Sequence, residues 1–215
     1  MKTRILSPEA PHRAATSATA LLLALCAAAL SPPAPAAADE GRWLLRGGLS
    51  HVEPKADNGQ LPVGDITINS HFDPSLNVGY FLTPNWAVDV LLALPFEHEF
   101  SVNGANAGST AQLPPTFTLQ YRFLPGAAVQ PYLGAGASLT LFMDEQLNSG
   151  NQLRLDPSFG LAVQAGIDVP LNARWRLGFD ARYIDIDSKA SVDGQDVGTI
   201  EIDPYVLSVN LGYRI

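Results

Sequence analysis

Three histidines lie beyond residue 38, and histidine is a residue type that can take part in hydrolysis. Ser50-His51 and Ser70-His71 are adjacent pairs, while His98 stands apart from both. A histidine can activate a serine hydroxyl only if both side chains lie on one side of the backbone, and neighbours along a β-strand point to opposite faces. We therefore expect neither pair to form a catalytic Ser–His couple.

A pair of aspartates, Asp185 and Asp187, does share one face of a predicted strand. Paired carboxylates can act in hydrolysis or bind a hard cation. Their position near the end of that strand favours solvation or contact with cation-bridged lipopolysaccharide. The sequence carries no histidine cluster, phosphate-binding loop or nucleophile elbow, so we expect no enzyme activity, no metal site and no cofactor.

The elements that carry these side chains show an alternation of apolar and polar residues with period two, which predicts strands with unlike faces. In the segment 113–123, Phe117, Leu119 and Tyr121 alternate with Thr118 and Gln120. We count eight such segments, at 43–50, 72–82, 86–96, 113–123, 131–142, 157–169, 174–187 and 199–215.

The connections between these segments alternate in length. Short turns containing proline occupy 83–85, 125–130 and 170–173. The other connections, at 53–70, 97–112, 143–156 and 188–198, are long and rich in Gly, Asn, Asp and Ser. Short periplasmic turns and long extracellular loops are typical of an outer-membrane barrel.

A soluble eight-stranded barrel would show the same alternation but would bury its apolar face inside. The membrane is favoured by a final strand that runs to the last residue and by aromatic residues near the predicted strand ends, where a lipid–water interface would lie. The prediction is an all-β chain that folds as an eight-stranded antiparallel transmembrane β-barrel. The aromatic residues are Trp43, Trp86, Tyr121, Trp175 and Tyr213.

The N-terminus has the layout of a secretory signal peptide. Lys2 and Arg4 precede an uncharged run of 17 residues at 14–30, and Ala36-Ala37-Ala38 offers small residues for cleavage before Asp39. A spanning anchor needs about 20 apolar residues, and the residue before Cys26 is a leucine where a lipoprotein signal requires a small residue. We therefore expect a signal peptide at 1–38 and an outer-membrane barrel domain at 39–215.

The chain after residue 38 is acidic and contains no cysteine. It has 10 basic and 20 acidic residues, so it lacks the basic face that binding to nucleic acid requires. Disulfides and thiolate metal sites are excluded because no cysteine remains.

Five sequence motifs, in this order, resemble the outer-membrane protein W (OmpW) family. They are NWAVDVLLALPFEHEF at 85–100, LPPTFTLQYRF at 113–123, PYLGAGASLTLF at 131–142, RYIDID at 182–187 and DPYVLSVNLGYRI at 203–215. The resemblance implies a barrel in the outer membrane whose narrow interior admits small hydrophobic molecules and passes them toward the membrane. It also implies contacts with outer-membrane lipids and lipopolysaccharide, and recognition of the C-terminal strand by the barrel-assembly machinery, although the chain ends in Ile215 rather than the usual Phe. A structural or surface-interaction barrel without transport is the alternative.

The predicted inward face changes in character along the barrel. Its lower part is charged, and buried charges of both signs should pair; its upper part is apolar and could receive an apolar solute. Leu91 lies where this change occurs, as the next inward residue after Asp89 on the same strand. Arg182 places a basic residue where relatives can carry a large aromatic one, and it therefore favours amphiphilic or acidic solutes. The charged set is Arg46, Asp89, Arg122, Asp168, Arg176, Asp180, Arg182 and Arg214, and the candidate transport residues are Leu91, Ala93, Phe142, Arg182, Ile202 and Val206.

Overall fold

The computed structural model describes residues 41–61, 64–93 and 96–215. The side chains of residues 60, 61, 93, 96–98 and 113 are not among those described. The predicted signal peptide at 1–38 lies outside the described residues. Within the described part, no helix has the length and apolar character needed to cross a membrane.

The described residues form strands that alternate along the chain between barrel and hairpin positions. The strands are β1 (Trp43–Glu53), β2 (Gln60–Leu61), β3 (Gly64–Ile68), β4 (His71–Phe81), β5 (Trp86–Ala93), β6 (Phe96–Val102), β7 (Ala105–Leu113), β8 (Thr116–Arg122), β9 (Gln130–Leu147), β10 (Leu153–Leu155), β11 (Ser158–Pro170), β12 (Trp175–Ile184), β13 (Asp187–Val192), β14 (Gln195–Glu201) and β15 (Tyr205–Arg214).

Eight of these strands close into an antiparallel barrel, as the sequence predicts. The order around the ring is β1, β4, β5, β8, β9, β11, β12 and β15. β15 pairs with β1 from Tyr205↔Glu53 to Arg214↔Leu44, which closes the ring between the first and last strands. A closed ring leaves no barrel strand with a free edge, so the backbone hydrogen bonds are satisfied within the wall, as a bilayer requires.

One end of the barrel carries the predicted short turns, and two of them are built alike. Thr83 Oγ1 accepts hydrogen bonds from the backbone N–H groups of Asn85 and Trp86, at 3.2 and 3.0 Å. Asn172 Oδ1 accepts from Arg174 and Trp175, both at 2.9 Å. These side chains replace backbone partners that a tight turn cannot supply. We call this the lower end.

The opposite, upper end differs from the sequence-based expectation, because the predicted loops contain further strands. β6 and β7 form a hairpin that pairs with the extended β9, and β13 and β14 form a second hairpin that pairs with β10. The predicted segments 174–187 and 199–215 are each divided accordingly, since β12 ends at Ile184 and β15 begins at Tyr205. Backbone pairing thus continues above the barrel wall.

The outward face of the barrel is apolar, and its orientation agrees with the prediction. Three Trp–Tyr cross-strand pairs lie near the lower end with ring centroids 4.8–5.0 Å apart. Tyr183 and Tyr205 pair near the upper end at 5.3 Å. Trp175 and Tyr183 are eight positions apart on β12, which spans roughly 20 Å of bilayer for a strand tilted by about 40°. The aromatic residues therefore bracket an apolar band of membrane dimensions.

Candidate functional site

In the lower half of the barrel interior, six charged side chains form ion pairs with one another, and we call them the charge network: Arg46, Asp89, Arg122, Asp168, Asp180 and Arg182. Arg46 on β1 donates to Asp89 Oδ1 on β5 at 2.8 Å and to Asp168 Oδ2 on β11 at 2.9 Å. Both aspartates have no exposed surface. Since β1 and β11 are not neighbours in the ring, the contact between Arg46 and Asp168 crosses the lumen.

The remaining charges complete the network from β8 and β12. Arg122 forms an ion pair with Asp168. Arg182 contacts Asp89 Oδ2 through Nη2 and Asp180 Oδ1 through Nε, both at 2.7 Å. Each aspartate therefore contacts at least one guanidinium, which is what buried charges require to be tolerated. The predicted pairing of inward charges is confirmed for these six side chains, whereas the guanidinium groups of Arg176 and Arg214 lie 5.9 and 4.2 Å from the centre of the Phe81 ring.

Neutral polar side chains fill the space around the network. Tyr132 donates from its hydroxyl to Asp180 Oδ2 at 2.8 Å, and Gln164 donates to the same oxygen at 2.6 Å. The Tyr132 ring lies 4.7 Å from the Arg122 guanidinium. A Cβ added at Gly166 would lie 2.4 Å from the Tyr132 hydroxyl, so the glycine leaves room for the ring. The lower half of the interior is thus filled by mutually bonded side chains.

Above the charge network the interior is apolar and contains an inner cavity of about 50 Å³. Leu91, Ile184 and Val206 are almost fully buried and line it. Leu91 lies two residues above Asp89 on β5, and Ile184 lies two above Arg182 on β12, so the cavity sits one step above the network. The volume of this cavity is several times the ~10–15 Å³ that one water molecule needs.

An outer cavity of about 80 Å³ lies among the hairpins of the upper end. Its walls come from β3, β6, β7, β9, β10, β13 and β14, and they include Ile66, Phe100, Leu155 and Ile200. Gln112 on β7 lines both cavities, so the two adjoin at its side chain. Apolar cavities therefore lie both among the hairpins of the upper end and directly above the charge network.

The structure brings together three of the six candidate transport residues at these cavities. Leu91 and Val206 line the inner cavity, and Ile202 lines the outer one. Phe142 packs against the buried apolar cluster around Ile202 but lines a wider polar groove instead. Arg182 lies below both cavities, in the charge network. The side chain of Ala93 lies outside the described residues.

Sequence reasoning missed most of the cavity walls because it treated the upper connections as loops. Ile66 and Ile68 alternate along β3 within the predicted loop 53–70, whereas Ile184 and Ile186 continue the inward phase of Arg182 within the predicted strand 174–187. The signal that was available was alternation within the connections themselves. Asp73 and Gln112, two polar residues of the inner cavity, carry no motif that would single them out.

The predicted aspartate pair forms an acidic cluster outside the barrel, above the Tyr183–Tyr205 pair. Carboxylate oxygens of Asp185, Asp187 and Asp203 lie within 4.8 Å of one another. Lys55 forms ion pairs with Asp203, at 3.1 Å, and with Glu201. Partial burial and the neighbouring acidic side chains raise the pKa of Asp187. A compensating lysine therefore already stands at this cluster.

Comparisons with known proteins agree with the fold. The model of the OmpW family matches residues 39–215. The chain is 35% identical to outer membrane protein W of Vibrio cholerae, over 87% of this chain and 94% of that protein. The crystal structure of OprG from Pseudomonas aeruginosa superimposes with a TM-score of 0.72 and 31% identity, covering 82% of this chain and 96% of that one. The solution structure of E. coli outer membrane protein W gives 0.62 and 27%, covering 83% and 100%.

Proposed function

The chain belongs to the OmpW family and is an outer-membrane β-barrel, and we propose that it takes up small hydrophobic molecules through the apolar cavities of its upper half. The observation that carries the proposal is the position of the inner cavity, which has apolar walls and lies directly on the charge network. Apolar solutes gain by leaving water for such walls.

The charge network makes straight passage through the barrel costly, so we propose that solutes leave sideways into the bilayer. Among the described residues, pairing between β4 and β5 runs upward as far as Ser75↔Ala93, and pairing between β5 and β8 as far as Leu91↔Thr116. Pro74 and Pro114 line the inner cavity near this region, and proline cannot donate to a strand ladder. A solute that leaves through this part of the wall would therefore have to break fewer backbone hydrogen bonds between strands than one that leaves lower down.

The name of one relative supports an apolar cargo. The chain is 24% identical to the dibenzothiophene metabolism operon protein PahQ of Pseudomonas aeruginosa, over 83% of this chain and 90% of that protein. Dibenzothiophene is a fused aromatic without a hydrogen-bond donor. A cargo of that kind suits cavities whose walls are almost entirely hydrocarbon.

Export and assembly complete the proposal. Residues 1–38 would direct secretion and be removed, and the C-terminal strand β15, which ends beside Ile215, would be read by the barrel-assembly machinery. Lipopolysaccharide would surround the upper end, where the acidic cluster at Asp185 could contact its bridging cations.

The test is uptake of labelled toluene by cells that lack other hydrophobic-uptake channels. Cells carrying this protein should accumulate toluene faster than cells carrying an unrelated eight-stranded barrel, while uptake of a sugar should be equal in both. Equal toluene rates at equal surface amounts would contradict transport and favour the structural or surface-interaction role.

A further inference from the structure

The walls of the inner cavity are apolar except for a few polar groups, and two of these are acceptors without donors. Asp73 Oδ2 on β4 and Gln112 Oε1 on β7 are buried and have no hydrogen-bond partner among the described residues. Both side chains line the cavity, and the exposed fractions of the two residues are 7% and 6%. A buried acceptor without a donor loses the bonds that it made to water, which is unfavourable.

The serine hydroxyls at the cavity are bonded to one another. Ser50 Oγ lies 2.7 Å from Ser75 Oγ and 2.7 Å from Ser208 Oγ. The guanidinium of Arg182, two positions below Ile184 on β12, is directed at Asp89 and Asp180 in the charge network. The inner cavity thus combines hydrocarbon walls with two buried acceptor atoms that have no bonded donor among the described residues.

A solute that bears a donor would match this arrangement. A carboxyl group and an amide oxygen each accept a hydrogen bond from a hydroxyl or an amino group. A pure hydrocarbon would fill the same space but leave both acceptors unbonded. Sites built around a buried hydrogen-bonding group discriminate against the analogue that lacks the partner.

We propose that the inner cavity prefers small apolar molecules that carry one hydroxyl or amino group over hydrocarbons of the same shape, with Asp73 or Gln112 accepting the hydrogen bond. This inference rests on the proposed function, since it concerns the cargo of the same cavities. It adds a polar requirement to a passage whose walls are otherwise apolar.

The experiment uses toluene, phenol and aniline, which have nearly the same shape and differ in one substituent. The full barrel is placed in lipid nanodiscs with labelled methyl groups and titrated with each compound. Methyl resonances of Leu91, Ile184 and Val206 report the inner cavity, while those of Leu207 and Val209 face the lipid and report partition into the bilayer. Phenol and aniline should saturate the cavity signals at concentrations roughly three- to tenfold lower than toluene.

Substitution of the acceptor separates the polar requirement from simple filling. Asp73→Leu should reduce the preference for phenol over toluene to about onefold, and Gln112→Leu should reduce it in part. Asp73→Asn retains one acceptor oxygen and should keep a measurable preference. The lipid-facing methyl signals should respond alike in all variants, which checks folding and partition.

The outcomes distinguish the two proposals. If toluene saturates the cavity signals but phenol does so at the same concentration, the polar requirement is wrong and the apolar route stands. A preference that survives Asp73→Leu together with Gln112→Leu would also overturn it. If none of the three compounds gives a saturable shift at the cavity methyls, both the preference and the proposed route fail.

Discussion

In the lower half of the barrel, arginines and aspartates from five strands contact one another across the lumen. In the upper half, the inward positions of β5, β12 and β15 carry Leu91, Ile184 and Val206 beside an open space. On β5 the change takes two residues, from Asp89 to Leu91, and on β12 two residues, from Arg182 to Ile184. One continuous wall therefore supports two interiors with different physical properties.

The difference shows how a narrow barrel can separate stability from access. Paired buried charges fix strands to one another and exclude solutes, but they tolerate no unpaired member. Apolar walls without dense filling contribute less to stability and leave room for a guest. Substitutions in the two halves should therefore have different consequences.

The largest loss of stability is expected in the charge network. Asp168→Asn keeps the side-chain shape but removes the charge that Arg46 and Arg122 contact. Leaving buried guanidinium groups uncompensated should lower the free energy of unfolding by about 3–5 kcal/mol. Urea unfolding from lipid vesicles, followed by tryptophan fluorescence, measures this change.

The matched control is Asp65→Asn, on an exposed residue of the upper hairpins. It should change the free energy of unfolding by less than about 0.5 kcal/mol. A loss at Asp168 as small as that at Asp65 would mean that the network does not hold the lower half together.

A smaller loss of stability is expected on the outer face of the barrel, which is apolar in both halves. Val209 lies midway between Tyr205 and Tyr213 on β15 and is half exposed, so it faces the middle of the bilayer. Val209→Arg should cost about 2–4 kcal/mol in the same unfolding assay, whereas Val209→Leu should be close to neutral. Full stability of the arginine variant in lipid would mean that the faces are assigned in reverse.

The smallest loss of stability, confined to one hairpin, is expected at the turns of the upper end. Gly194 has a φ of +79° in the turn between β13 and β14, a conformation that costs an L-residue about 1 kcal/mol. Gly194→Ala should make this hairpin several times more sensitive to protease added outside the cell. Gly47→Ala, at a position where an added Cβ meets no other atom within 4 Å, should leave the cleavage rate unchanged.

The barrel could be predicted from the sequence because a transmembrane strand is constrained on both faces. Lipid requires apolar residues outside, while the narrow lumen tolerates polar ones, and this contrast produces a period of two over most of each strand. The upper hairpins lack a lipid face, so their alternation is weaker. Their turns nevertheless have a sequence pattern that predicts hairpins, namely the dipeptides Asn103-Gly104 and Asp193-Gly194. All four residues adopt positive φ, as two-residue hairpin turns require.

The site was predictable only in part, because a cavity depends on elements that converge from separate parts of the chain. Leu91 and Val206 followed from strand phase alone. Arg182 shared their phase, but its place among Asp89 and Asp180 depends on its height in the barrel and on the strands opposite. Asp73 became notable only through the absence of a bonded donor among the described residues, which no linear pattern encodes.

The most direct test of the account is the pair of substitutions at Leu91, where the two halves meet. Leu91→Asp introduces a charge into apolar surroundings beside Asp89, and an unpaired charge there must recruit water. The variant should assemble and keep its heat-dependent gel mobility, because the lipid-facing band is untouched, yet toluene uptake should fall to nearly the rate of cells without the protein. Leu91→Ala should retain most of the uptake. Normal assembly of Leu91→Asp with undiminished toluene uptake would contradict the claim that solutes pass through the upper half of this barrel.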